Sequence, residues 1–157
     1  MFLPWRYGEG VLAATVAIAL SACGSGGGEE AIPQGTLTKQ QFLKKAEAVC
    51  DRSLRELNKA DLAAWKKYEP DHTTTDEAVL NKVSLALVPG KEREVRRLRA
   101  LGLPKGGERY VYEMLNAWEE GLEEAREDPS LIREAGPGTG LYKSYKMANK
   151  YGLEGCG

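Results

Sequence analysis

Apolar residues recur along this chain at intervals of three and four, the spacing that puts side chains on one face of an α-helix. Phe42, Ala46, Val49, Ser53, Leu57, Ala60 and Ala64 form the first such stripe. Leu43, Cys50, Leu54 and Trp65 widen it, and Lys44, Asp51, Arg52, Arg55 and Lys59 occupy the opposite face. Thr38 and Gln41 supply a T-x-x-Q capping box at its start, so the pattern predicts one long helix from 38 to about 68, ending before Pro70. Thr73–Thr75 followed by Asp76 and Glu77 predicts a hydroxyl-capped start to a second helix. Its buried stripe is Leu80, Val83 and Leu87, and Pro89-Gly90 is expected to break or kink it. Val95, Leu98 and Leu101 then mark a third segment, followed by a GLPKGG loop at 102–107. The next helix, from about 107 to 127, carries Val111, Met114, Leu115, Trp118, Leu122 and Ala125. Asp128-Pro129 predicts a turn or a short helical start. A GPGTG break at 136–140 precedes a last helix with Leu141, Tyr145 and Ala148, closed by Gly152 as a left-handed cap. No segment alternates with period two. The expected fold is an all-α bundle of four to five helices.

The first 22 residues stand apart from that pattern. Val11–Leu20 reads VLAATVAIAL, ten uncharged residues. That is about half the length needed to span a bilayer, and it matches the core of a signal peptide. It ends in Leu20-Ser21-Ala22-Cys23, which resembles the lipobox of bacterial lipoproteins. The resemblance implies diacylglyceryl transfer to the Cys23 thiol and cleavage before it. Residues 1–22 are then a cleaved signal peptide, and residues 23–37, opening with GSGGG at 24–28, are a tether. A flexible linker over 24–37 has a root-mean-square reach of about 20 Å. The domain proper is expected at 38–157, anchored to the outer face of the cytoplasmic membrane.

With Cys23 assigned to lipid, Cys50 and Cys156 remain. Outside the cytoplasm disulfides persist, so a Cys50–Cys156 bridge is expected. There is no C-x-x-C, which argues for a structural staple and against a redox pair. A loop of this length corresponds to about 4–5 kcal/mol in the chain-entropy model.

The mature region as a whole resembles a group of small lipoproteins common in actinobacteria. The resemblance rests on Thr36-Leu37-Thr38-Lys39 with Phe42, on Ala46-Glu47-Ala48-Val49-Cys50, on LRALGLP at 98–104, and on the ending YGLEGCG at 151–157. It implies fold and location, and no activity.

Charge narrows the function classes. The chain has 22 basic and 23 acidic residues and a net charge of -1, unlike the basic domains that bind nucleic acid. One His and three Cys do not make a His/Cys metal cage, and no cofactor is expected. His72, alone in an Asp/Thr-rich loop, reads as an exposed loop residue, since no nucleophile motif accompanies it. Glu119, Glu120, Glu123, Glu124, Glu127 and Asp128 read as a solvated helix face. Arg93, Arg96 and Arg97 lie opposite Val95 and Leu98 and form a candidate anion-binding face for lipid head groups or a wall-polymer phosphate, with a solvated face as the plainer reading. Trp65, Tyr112 and Tyr142 are candidates for lining a ligand cleft, while Trp118 and Tyr145 fall on core stripes. The expected function is that of a non-enzymatic, lipid-anchored, extracytoplasmic domain that binds or scaffolds an envelope partner. The alternatives are a small-molecule-binding lipoprotein with an aromatic-lined cleft and, behind it, a cell-wall enzyme.

Overall fold

A computed structural model describes residues 32–156. Four α-helices and one 3-10 turn make up the described fold: α1 (Lys39–Tyr68), α2 (Glu77–Arg99), α3 (Glu108–Glu127), the 3-10 turn Pro129–Ile132, and α4 (Gly140–Tyr151). Residues 1–22, expected to be a signal peptide, and Cys23 lie outside the described residues.

Each helix starts where local chemistry satisfies its free N–H groups. In α1 the capping box forms in full. Gln41 N donates to Thr38 Oγ1 at 3.2 Å, and Thr38 N donates to Gln41 Oε1 at 2.9 Å. α2 departs from the hydroxyl cap expected of Thr73–Thr75. Asp76 is the cap, its carboxylate accepting from Ala78 N at 2.8 Å, while Thr74 Oγ1 holds Asp76 N. Thr139 caps α4 through Tyr142 N. At its other end Gly152 adopts φ 102°, and Leu153 N reaches back to Ala148 O at 2.9 Å, the long closing bond of a Schellman cap.

Pro89-Gly90 does not divide α2, which runs unbroken from Glu77 to Arg99 with Pro89 inside it. Proline removes one N–H and frees the carbonyl four residues earlier. Both Pro89 and Leu85 are exposed, so water is at hand for that carbonyl. Gly90 has a packing role instead: a Cβ there would lie 2.6 Å from Leu57 Cδ2. The missing side chain lets α1 and α2 pack closely at this level.

Cross-helix pairs set the register. Gly90 against Leu57 and Arg97 against Glu56 make α1 and α2 antiparallel. Arg99–Glu119 and Arg126–Glu92 do the same for α2 and α3. Gly121 against Gly140 and Tyr110 stacked on Tyr151 do it for α3 and α4. The starts of α1 and α3 and the end of α4 therefore share one end of the bundle. Thirty residues of α1 carry the α1–α2 turn about 45 Å away from it.

The core lies toward the shared end. It joins Phe42, Ala46 and Cys50 of α1, Val95 and Leu98 of α2, Val111, Met114, Leu115, Trp118 and Leu122 of α3, Ala148 of α4, and Leu103, Leu153 and Cys156 of the connecting segments. All six expected stripe residues of α3 are buried. Two expectations fail: Tyr145 is 50 % exposed and Leu54 54 % exposed. α4 packs on α3 through its small residues Gly140, Ser144 and Ala148, which turns Tyr145 to the rim.

Residues 32–37 were expected in the tether and are instead held on the domain. Thr36 N donates to Leu103 O at 3.0 Å, Lys105 N to Leu37 O at 2.7 Å, and Gly35 N to Glu108 Oε1 at 3.2 Å. Ile32 and Leu37 pack against the core.

Candidate functional sites

The expected disulfide is present. Cys50 and Cys156 are joined with a Cα–Cα distance of 5.1 Å, well inside the range a bridge spans. The sulfurs are buried with residues 1 % and 0 % exposed. The bridge ties the segment after α4 to Cys50, about three turns into α1.

The arginine face is reorganised by packing. Arg97 makes two hydrogen bonds to Glu56 of α1, at 2.9 and 3.2 Å, and Arg99 two to Glu119 of α3, both at 2.7 Å. Arg52 adds to the Glu56 pair, so the Glu56 carboxyl is held below its ordinary value by Arg97 first and Arg52 second. Arg93 and Arg96 remain exposed. Arg96 shares a shallow groove with Glu92, Glu119 and Glu123. Arg96 thus shares its groove with three carboxylates and Arg126, and Arg97 belongs to the α1–α2 interface.

The three aromatic candidates are not brought together. Trp65 stacks on His72 at 5.1 Å, near the α1–α2 turn. Tyr112 lies under the Arg99 guanidinium, 5.6 Å from ring centre to carbon. Tyr142 has Lys146 at 6.0 Å. His72 is exposed, as its sequence context implied, with φ 53° in the left-handed region.

An aromatic-lined cleft does exist elsewhere. It holds about 330 Å³ between α2, α3, the 3-10 turn and α4. Trp118 lies in its wall, and Leu87, Leu131, Ile132, Leu141 and Tyr145 contribute to the lining. Arg133 fixes the far wall by reaching Ser84 Oγ at 2.7 Å, Asn81 Oδ1 at 3.2 Å and Glu77 Oε1 at 2.7 Å, which straps the 3-10 turn to α2. The sole charged residue in the lining is Lys91, whose ammonium is 5.9 Å from the Trp118 ring and 3.7 Å from Glu94 Oε2. Stripe periodicity placed Trp118 and Tyr145 in the core. The signal that would have found the cleft is the Asp128–Gly140 connection, too long and irregular to cover α3 completely.

Among the described residues Glu94 is the one buried acid, at 2 % exposure, and burial pushes its carboxyl up against the opposing influence of Lys91. Its Oε2 and the buried Ser53 Oγ have no hydrogen-bond partner. Both follow from the register: Ser53 is one turn from Leu57 and Glu94 one turn from Gly90, on facing helices. At the shared end, Tyr151 packs on Tyr110 at 5.4 Å and edge-on to Phe42 at 6.1 Å, with the Lys39 ammonium 4.5 Å above its ring. Burial, then the negative charge of Glu108, raises the Tyr151 hydroxyl, while backbone N–H groups, its own and that of Gly35 among them, hold Glu108 down.

Among the described residues no group of three or more His, Cys, Asp or Glu side chains is placed to hold a metal ion, and no helix is long and apolar enough to cross a membrane. In the acidic run, Glu119 pairs with Arg99 and Glu124 accepts from Gly140 N at 2.9 Å. Comparison with protein-family models, with curated proteins and with solved structures gives no match to this chain.

Proposed function

We propose that this chain is a lipid-anchored helical module on the outer face of a bacterial cytoplasmic membrane, with a binding or scaffolding role. The observation that carries the reading is the division of its three cysteines. Cys50 and Cys156 are consumed in a buried bridge, of the kind that persists in oxidising compartments. Cys23 is left single at the end of an apolar run and a lipobox-like Leu-Ser-Ala-Cys. The groups with perturbed acidity do not argue for catalysis, because each has a structural cause. Glu56 is held by an interhelical arginine, Glu94 by burial, Tyr151 by burial among aromatic rings, and Glu108 by backbone N–H groups.

The test is expression of the full chain and of Cys23→Ala in a bacterial host. The native chain is expected to partition into detergent and to carry an acyl adduct on Cys23, and the variant to do neither. Equal partitioning without an adduct would overturn the reading.

The cleft beside Trp118 favours a second reading, a small-molecule-binding lipoprotein. Its apolar walls and single lysine suit a ligand with an apolar body and one anionic group. Titration with medium-chain carboxylates, followed through Trp118 fluorescence, tests it. A flat titration removes this reading.

A further inference from the structure

Charge is distributed unevenly along the bundle, and the topology places the uneven parts at opposite ends. The first turns of α1 bring Lys39, Lys44 and Lys45 to the shared end, the loop before α3 brings Lys105, and the last turns of α4 bring Lys146 and Lys150. All six are exposed. The acids there are fewer. Glu113 pairs with Arg109, Glu108 holds Gly35 N, and Glu47 and Glu154 complete the set. At the other extreme the α1–α2 turn carries Glu69, Asp71, Asp76 and Glu77. Lys66, Lys67 and Lys82, whose ammonium is 6.0 Å from the Tyr68 ring, offset Glu69, Asp71 and Asp76, and Arg133 is tied to Glu77, so this end has no basic excess.

The chain enters at the basic end. Residues 32–37 dock on Leu103, Lys105 and Glu108. Nine residue steps separate Ile32 from Cys23, a span of at most about 32 Å fully extended. The α1–α2 turn lies about 45 Å along α1 from the entry point. A lipid on Cys23 therefore gives the lysine-bearing end ready access to the bilayer and lets the α1–α2 end stand away. We propose that this end, with Lys39, Lys44, Lys45, Lys105, Lys146 and Lys150, docks on anionic phospholipid head groups and so orients the domain with the α1–α2 turn pointing outward. The inference rests on the anchored reading above.

The physics is additive and short-ranged. A lysine near an anionic surface contributes about 1 kcal/mol, or about fivefold in a partition constant. Screening confines this to about 8–10 Å at physiological salt. Lys39 to Lys45 span about 9 Å along α1 and Lys146 lies about 8 Å from the end of α4, so the six lysines fall within about one screening length of the surface and the α1–α2 turn lies far outside it.

The test is a lysine footprint on the lipidated protein, reconstituted by its own anchor into phosphatidylcholine vesicles with and without phosphatidylglycerol. A water-soluble acylating reagent and mass spectrometry give a rate for each lysine. On phosphatidylglycerol vesicles Lys44, Lys45, Lys105 and Lys150 are expected to react several-fold more slowly than on pure phosphatidylcholine and to recover in high salt, while Lys66 and Lys67 keep their rates. The combined Lys44→Gln, Lys45→Gln and Lys150→Gln variant should restore the Lys105 rate, and Lys66→Gln with Lys67→Gln and Lys82→Gln, the same loss of charge at the far end, should not. Equal rates at both ends on anionic vesicles, or equal effects of the two variants, would overturn the proposal. If Cys23 carries no lipid, the anchored reading fails by itself. The same footprint, with the Cys23 thiol coupled to a maleimide phospholipid, then decides the docking.

Discussion

Arg97 and Glu56 join α2 to α1 through two hydrogen bonds of 2.9 and 3.2 Å. The pair converts an arginine that reads as a surface cation into a register pin between two long helices. A bidentate arginine–carboxylate contact fixes orientation as well as distance. Because Arg97 and Arg52 hold the Glu56 carboxyl below its ordinary value, its contribution is present above the unfolded carboxylate range. It is lost as pH falls through the depressed folded value. Glu56→Gln should therefore lower stability slightly at neutral pH and flatten the acid limb of a pH–stability curve measured by urea unfolding. An unchanged acid limb would contradict this.

Glu94 predicts the opposite sign. Burial raises its folded pKa, so its stabilising contribution is complete below the unfolded carboxylate range and is lost as pH rises through the folded value. Glu94→Gln removes the cost of burying an ionised carboxylate. The variant is expected to be more stable than the parent at neutral pH and to match it in acid. Denaturant midpoints at the two pH values check this, and a variant weaker at neutral pH refutes it.

The disulfide predicts a stability change without an accompanying change in fold. Its ends are 106 residues apart in sequence, and closing such a loop is worth about 2–5 kcal/mol. Cys50→Ala with Cys156→Ala should lower the unfolding free energy from urea titration by that amount, with a lower midpoint, while leaving the far-ultraviolet circular dichroism helical. Identical midpoints for oxidised and reduced protein would show that the bridge contributes nothing.

Gly121 and Gly140 predict a steric effect that no hydrophobic pattern contains. A Cβ on Gly121 would collide with the backbone of Gly140 and Leu141, so Gly121→Ala must push α4 away from α3. The expected loss is about 1–3 kcal/mol, the usual cost of overpacking. Gly136→Ala is the control: nothing lies within 4 Å of a Cβ there, and the change should be neutral or slightly stabilising. Thermal unfolding of both variants gives the comparison.

Arg133→Ala should release the strap on the 3-10 turn. The guanidinium reaches Ser84, Asn81 and Glu77, and Ser84 is only 1 % exposed. Charge-assisted hydrogen bonds are worth about 1.5–3 kcal/mol each when a buried partner is stranded. We expect a loss of about 2 kcal/mol and a red shift of Trp118 emission as water enters the cleft. Unchanged emission would mean that the turn is held by apolar contacts with Leu131 and Ile132 alone.

Much of this fold is local and is therefore written in neighbouring residues. The Thr38–Gln41 capping box, the α3 stripe from Val111 to Ala125 and the left-handed Gly152 cap each depend on positions within a turn or two, where helical spacing is a sufficient guide. The Cys50–Cys156 pairing was legible as well, because once Cys23 was set aside only one intramolecular bridge could form. Tertiary structure decided the rest. Pro89-Gly90 continues α2 because Leu57 fills the space a side chain would need and Pro89 faces water, and neither fact is local. Arg97 leaves the candidate anion face because Glu56, 41 residues away, meets it across antiparallel helices, and Glu119 takes up Arg99 in the same way from 20 residues away. The cleft forms at Trp118 and away from Trp65, Tyr112 and Tyr142, since a cleft is the space helices fail to fill and their relative register determines that space. The charge asymmetry is invisible in a net value of -1 for the same reason. Lysines from 39 to 150 come to one end only after the chain has reversed direction three times.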